Sequence, residues 1–243
     1  MSALSARRID ETLGDQVLPS RAAIPADPPA GDYIVIDVTH FSTTVVELLA
    51  NGAEYVHVTE QRGDEHAFRE DHPGAKIGGG SNSDYRPESG YDFFNSPSYV
   101  QVVDIEGRPT ALTSTNGGAA VTDLRQQGDE NVTVYVGGLV NAAALAAHLT
   151  NHDRPTYLVA AGSRGKPSPE DIVGAVVIGR YLAGQPPIES ERELYEQVAY
   201  LGKAPKYEQK AEIRTTDLVE YDLQFSERAV VPKLEGQKLY DVN

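Results

Sequence analysis

The chain has 243 residues, 40% hydrophobic and 23% charged, enough to bury the core of one large domain or two closely joined lobes. Its net charge of -15, from 21 Lys and Arg against 36 Asp and Glu, sets its surface against nucleic-acid phosphates, so no DNA or RNA partner is expected. It has no cysteine, which removes disulfides, thiolate nucleophiles, the cysteine-phosphatase mechanism and cysteine-ligated zinc or iron–sulfur centres.

No long apolar run, secretory signal or lipidation motif is seen, so a cytoplasmic protein with no membrane partner is expected. The acid excess suits a halophilic, high-salt cytoplasm that screens it, or simply an acidic mesophile protein. An anionic substrate would need a local reversal of sign, from helix N-termini, a few basic side chains or a bound divalent cation.

Residues 1–31 hold four prolines in PSRAAIPADPPAG and read as an arm or linker before a domain spanning 32–243. DYIVIDV is a continuous apolar run, as a buried parallel strand should be. FSTTVVELLANG reads as a helix with a cap at Ser42 or Thr43 and an Asn-Gly stop. EYVHVT is a second strand and QRGDEHAFRED an exposed helix, after which KIGGG runs from a strand into a glycine- and serine-rich loop. PTALTST with GGAAVTDLRQQG, NVTVYVGG with NAAALAAHLTNH, and PTYLVAAGS with SPEDIVGAVVIGRYLAG repeat the strand-then-helix unit. This alternation predicts an α/β protein, a layered α/β/α sandwich on a largely parallel sheet. Residues 189–220 look helical, and AVVPKLEGQKLYDV reads as a C-terminal hairpin turning at Glu235-Gly236.

Ligands of open α/β sheets bind beyond the carboxyl ends of the strands. Here polar, small residues gather at four strand-to-helix loops: 37–44, 113–118, 137–141 and 162–171. Asp37 stands where an apolar strand ends, where a carboxylate can hold Mg²⁺ or merely cap a helix. TSTNGG offers backbone N–H groups to a phosphate, although Asn116-Gly117 is also a common turn pair and the P-loop pattern is missing. In AGSRGKPSPED, capping by Ser168 and the helix dipole account for Glu170 and Asp171, leaving Arg164 and Lys166 as basic residues able to steady an anion. His148 and His152 are four apart but lack the glutamate of a zinc-binding HExxH.

Taken together, VIDVTHFSTTVVELLANGAEYV, YDFFNSP, LTSTNGGAAV, VGGLVNAAALA, AAGSRGKPSPEDIVGA and the late AVVP resemble the 2-phosphosulfolactate phosphatase (ComB-like) family of coenzyme M biosynthesis, in the family's order from about Asp32 to Pro232. The resemblance implies an α/β sandwich, an Mg²⁺-dependent hydrolase of a phosphate monoester on a sulfonated hydroxy acid, and a homodimer. It implies Asp37, Asn116 and Asp171 as catalytic residues, with Asp37 and Glu170 as metal ligands. It also implies His40, Thr43, Asn95, Ser96, Thr115, Gly117, Asn141, Gly162, Ser163 and Arg164 as substrate-binding residues. Either Asp37 or a metal-bound water would attack phosphorus.

The chain departs from the family at two places. DVLRATTT of the family is DVTHFSTT here, with His40 in place of an arginine, and a GER-like patch is Gly78-Gly79-Gly80. Losing an anion-binding arginine removes about 1.5–3 kcal/mol per charge-assisted bond. The expected function is therefore phosphatase action on a small anionic hydroxy-acid phosphate. The alternatives are a relative that binds the anion without turnover, a phosphatase of a different monoester, and a structural role for the loops.

Overall fold

In the computed structural model, which describes residues 16–243, ten strands form one sheet in the order β1-β8-β2-β7-β9-β10-β3-β6-β4-β5. The strands are β1 (Val17–Leu18), β2 (Gly31–Ile36), β3 (Tyr55–Val58), β4 (Lys76–Gly79), β5 (Phe93–Phe94), β6 (Pro109–Leu112), β7 (Val132–Gly137), β8 (Thr156–Ala160), β9 (Pro232–Glu235) and β10 (Lys238–Asp241). The helices are α1 (Thr43–Ala50), α2 (Asp64–Asp71), α3 (Pro97–Val100), α4 (Gly117–Gln127), α5 (Ala142–Leu149), α6 (Pro169–Leu182), α7 (Glu189–Tyr207) and α8 (Glu212–Thr216). The layered α/β expectation holds. Among the described residues no helix is long and apolar enough to cross a membrane.

The strand β2 shows why the sequence pattern gives this fold. All six of its residues are buried, and they alternate between two cores. Tyr33 and Val35 pack with Val45, Val46, Leu48, Val121 and Leu124 of α1 and α4 on one face. Ile34 and Ile36 pack with Leu145, Val173, Val177 and Ile178 of α5 and α6 on the other. A strand with apolar side chains on both faces must lie inside a sheet covered by helices on both sides.

The C-terminal hairpin has a position that its sequence did not reveal. β1, β8, β2 and β7 form one parallel half, and β3, β6, β4 and β5 form another. The hairpin β9–β10 lies between them, antiparallel to β7 on one side and to β3 on the other. Its turn falls at Gly236-Gln237, one residue beyond the expected Glu235-Gly236, with Gly236 taking the left-handed φ of 63°. The stretch read as a linker contributes β1, the sheet's edge strand beside β8, and Arg21 binds Asp123 of α4. Residues 1–15 of the expected arm lie outside the described residues.

Since the hairpin joins the two halves of the sheet, its apolar contacts should weigh on the whole fold. Leu239 is fully buried and pairs with Val56 of β3. Leu239→Ala should cost about 2–5 kcal/mol of unfolding free energy, read from the urea midpoint. A shift as small as that of an exposed-site control would show that the hairpin is peripheral.

Candidate active site

The loops after β2, β4 and β6 open into one cavity of about 200 Å³, lined by Asp37, Thr39, Arg62, Gly79, Gly80, Ser81, Phe94, Asn95, Thr113, Ser114, Thr115, Asn116 and Arg214. Larger hollows lie elsewhere, such as one of about 440 Å³ beside β1 and α6, but loop tips of this kind do not line them.

Asp37 follows the last residue of β2. Its backbone N–H donates to the Ser42 hydroxyl at 2.9 Å and its carbonyl accepts from the Ser42 N–H at 2.9 Å, closing the wide turn Val38–Ser42 before α1. Its Oδ2 accepts from the Gly117 N–H, in the first turn of α4, at 2.8 Å and from the Ser114 hydroxyl at 3.3 Å. The first N–H groups of a helix have no intrahelical acceptor, so a carboxylate there is well placed. Only glycine permits this approach. A Cβ on Gly117 would stand 2.5 Å from Phe41 Cδ1 and 2.7 Å from Asp37 Cβ.

Asp171, expected among the catalytic residues, has its oxygens committed within the fold. Oδ1 accepts from the Val38 N–H at 2.8 Å, while Oδ2 accepts from the Gly162 N–H at 2.8 Å and the Ser168 hydroxyl at 2.8 Å. It ties the β2 loop to the β8 loop and does not line the cavity. Ser168 thus donates to Asp171 and does not cap α6 with its side chain. Glu170, one residue before, presents Oε1 to Lys203 of α7 at 2.6 Å and to the Thr39 hydroxyl at 3.4 Å, while its buried Oε2 has no partner.

Asp37, Glu170 and Asp171 form a carboxylate group served by one ammonium, Lys203. Burial pushes Asp37 up to about 7, with Glu170 adding to the rise and the Gly117 N–H and Lys203 opposing it. Burial likewise raises Asp171 well above the carboxylate range, with Asp37 and Glu170 adding to the shift. Lys203 is held above its ordinary value because its attraction to the carboxylates exceeds the burial penalty.

The other expected residues divide into two groups. Asn95, Thr115 and Asn116 line the cavity beside Asp37, and the buried Oδ1 of Asn95 has no partner. Gly117 meets Asp37, and the Arg164 N–H donates to Asn116 Oδ1 at 3.3 Å, which places the 162–166 loop at the edge of the same site. Gly162 and Ser163 shape that loop and do not line the cavity. Gly162 donates to Asp171, and Ser163 exchanges backbone bonds with Lys166. Thr43 is fully buried and donates to the Val38 carbonyl at 3.1 Å. Ser96 caps α3 and donates to Asp217 at 2.7 Å. Asn141 is also fully buried, accepting from Gly138 and donating to the Val230 and Val136 carbonyls, so it anchors the chain end.

His40 is the main correction among the anion-binding residues. Its Nδ1 meets Asp222 Oδ2 at 2.5 Å and its Nε2 meets the Tyr207 hydroxyl at 2.7 Å, so both ring nitrogens are committed away from the cavity. Burial, with help from Arg214, holds its pKa well below the usual histidine value, and the ring stays neutral. Cations come instead from Arg62 and Arg214, which line the cavity, and from Lys203 behind Asp37. Sequence reasoning missed all three. The scarcity of basic residues was the available signal, and Arg62 does lie in a strand-to-helix loop.

A family model described as 2-phosphosulpholactate phosphatase matches residues 21–226. The chain belongs to this family. A probable 2-phosphosulfolactate phosphatase of Symbiobacterium thermophilum is 34% identical over 165 residues, covering 66% of this chain and 67% of the relative. One of Carboxydothermus hydrogenoformans is 31% identical over 162 residues, covering 67% and 65%. A third, from Caldanaerobacter subterraneus, is 27% identical over 221 residues, covering 84% and 88%. The chain thus spans 65% and 67% of the first two relatives' lengths, about two thirds of each.

The divalent cation expected from the sequence can be set against the donors present. Mg²⁺ takes one or two carboxylates and fills its octahedron with waters and substrate phosphate. Among the described residues no group of three or more His, Asp and Glu is set to hold a metal by protein ligands alone. Asp37 Oδ1, which accepts no hydrogen bond among the described residues, suits this sparser arrangement, whereas the buried Glu170 Oε2 lies beside Gly202 of α7, 3.5 Å from where a Cβ there would stand. Asp37 lines the cavity, whereas Glu170 is already neutralised in part by Lys203.

Two outcomes follow from this geometry. Gly117→Ala should destabilise the protein by about 1–3 kcal/mol in urea unfolding, through overpacking against Phe41 and Asp37. A stability equal to the parent's would show that α4 does not approach Asp37 this closely. The second concerns pH. The Asp37 carboxyl is raised from 3.8 to about 7 in the folded state, so the folded protein holds a proton that the unfolded chain has lost. Metal-free stability should therefore fall as pH rises between those values. Asp37→Asn should flatten that fall and raise the neutral-pH Tm, by about 2–4 °C per kcal/mol relieved. A steeper fall in the variant would contradict the assignment.

Proposed function

We propose that the chain is an Mg²⁺-dependent phosphatase of a small hydroxy-acid phosphate, with 2-phosphosulfolactate as the substrate to test first and sulfolactate and phosphate as products. The observation that carries this reading is Asp37: a buried carboxylate at a strand end, held by the first turn of α4, with one oxygen still open to the cavity. A phosphoryl group placed there meets Asp37 on one side and the hydroxyls and N–H groups of the Ser114–Gly118 loop on the other.

Mg²⁺, when bound at Asp37, would offset the charge of the phosphoryl oxygens and polarise phosphorus. The protein's own groups do the positioning. The α4 N-terminus and the Ser114 hydroxyl fix the Asp37 rotamer, so that its free oxygen keeps one direction. Lys203 lowers the repulsion that Glu170 and Asp171 exert on Asp37, favouring the ionised carboxylate. The cavity is small, so a three-carbon acid bearing phosphate suits it better than a nucleotide does.

Phosphate release from 2-phosphosulfolactate, with Mg²⁺ and after chelation, tests the reading. Wild type should turn over only with the cation, with an acid limb as Asp37 ionises. Asp37→Asn should lose on the order of 10²–10³ in kcat, as when another charge-stabilising group is removed. Mg²⁺-dependent turnover near the parent rate in that variant would remove Asp37 from the mechanism. Binding of sulfolactate without turnover by wild type would favour a relative that holds the anion and no longer hydrolyses its ester.

A further inference from the structure

Two arginines reach the cavity from parts of the chain far from Asp37, and the phosphoryl cradle uses neither. Arg62 follows β3 and lines the wall formed by Gly79, Gly80 and Ser81. The bare glycine is matched to it: a Cβ on Gly80 would stand 2.8 Å from Arg62 Nη1 and 2.7 Å from Glu88 Oε1. Arg62 makes no ion pair or hydrogen bond among the described residues, and it does not pair with the nearby Glu88. Glu88 stands close by but beyond ion-pair distance, so the Arg62 N–H donors are left uncommitted beside the cavity and are available to an anionic ligand.

The Arg62 loop is also held in place. Glu65, fully buried in α2, accepts from the Gly63 N–H at 2.8 Å, from the Thr59 hydroxyl at 2.6 Å and from the Tyr91 hydroxyl at 3.2 Å. Gln61 donates its N–H to Asp64 at 3.0 Å. Both neighbours of Arg62 are therefore anchored to α2, which fixes where its side chain starts.

Arg214 of α8 supplies the second cation. Its Nη1 donates to the Asn95 carbonyl at 2.8 Å and to Asp217 at 3.0 Å, and its guanidinium lies over the Phe94 ring at 5.0 Å. Its Nε is buried without a partner, and its Nη2 makes no hydrogen bond among the described residues. Asp217, its acidic partner, is itself satisfied by the Ser96 and Ser98 hydroxyls and the Ser98 N–H, so it does not need all of the arginine's charge.

We propose that Arg62 and Arg214 form the subsite for a second anionic group of the substrate, a sulfonate or a carboxylate, in the same cavity as Asp37. This deepens the phosphatase reading and rests on it for the identity of the reacting end. Asp37 and the Ser114–Gly118 loop take the phosphoryl group, which leaves these two cations for the charged group at the other end of a small acid. Specificity for a substrate that carries an anionic group besides its phosphate then resides in residues outside the loop that holds phosphorus.

The experiment measures kcat/KM with Mg²⁺ for 2-phosphosulfolactate, 2-phospholactate and glycerol 2-phosphate, the last lacking any second anion. In Arg62→Met the ratio of 2-phosphosulfolactate to glycerol 2-phosphate should fall on the order of 10- to 100-fold, as for loss of a charge-assisted bond. The exposed position of Arg62 makes this variant safe for folding. Arg62→Lys, which keeps charge and loses the planar fork, should fall between the two. Arg214→Lys, which keeps a cation beside Asp217, should move the ratio the same way. If 2-phospholactate suffers with 2-phosphosulfolactate the carboxylate is the group bound, and if it does not the sulfonate is. An unchanged ratio in Arg62→Met overturns the proposal. Should wild type hydrolyse none of the three, the phosphatase reading fails and calorimetry with sulfolactate decides separately. Binding at least tenfold weaker in Arg62→Met supports the subsite, whereas equal affinity or no binding to wild type overturns it.

Discussion

The candidate site depends on one carboxylate that never reaches the cavity. Asp171 receives the N–H of Val38 from the loop after β2 and the N–H of Gly162 from the loop after β8, with the Ser168 hydroxyl as a third donor. Two strand ends are thereby referred to a single point at the start of α6. Each buried N–H left without its acceptor costs about 1–3 kcal/mol, so the loops hold this arrangement against their own flexibility. Glu170, one residue before it, faces Thr39 and Lys203 instead. Adjacent acidic residues thus do separate work: Asp171 places the Asp37 turn, and Glu170 draws in the cation that makes a group of carboxylates tolerable.

That cation matters because the molecule is acidic overall and the carboxylate group is buried. Clustered carboxylates in a dry setting favour protonation, which is why Asp37 and Asp171 are pushed up. The Lys203 ammonium among them opposes that rise without cancelling it. The same cavity then needs a different sign for its substrate, and Arg62 and Arg214 supply it from separate segments. A -15 chain thus concentrates positive charge in one place by folding, with no basic run in its sequence.

The family departures also look different once the chain is folded. His40 stands where the resemblance led to the expectation of an arginine, yet its ring is packed between Asp222 and Tyr207, on the side away from the cavity. It ties the Asp37 turn to α7 and to the segment that follows α8. Gly80 in its turn is a place of close approach, with the Arg62 guanidinium against it.

Much of this was legible in the residues. The β2 run, the strand-helix alternation, the glycine-rich loop before α4 and the family's segments identified the fold class and pointed to Asp37, Asn95, Thr115 and Asn116, which do share a cavity. These signals are local: an apolar run, a turn pair or a capping pattern is written within a few residues of the structure it makes. Tertiary structure alone decided that the last hairpin lies in the middle of the sheet, that Asp171 binds backbone, that His40 and Asn141 turn inward, and that Arg62, Lys203 and Arg214 converge on one site. Each of those outcomes joins residues distant along the chain through a hydrogen bond, an ion pair or a shared cavity wall. A partner so distant leaves no mark on the periodicity of either segment.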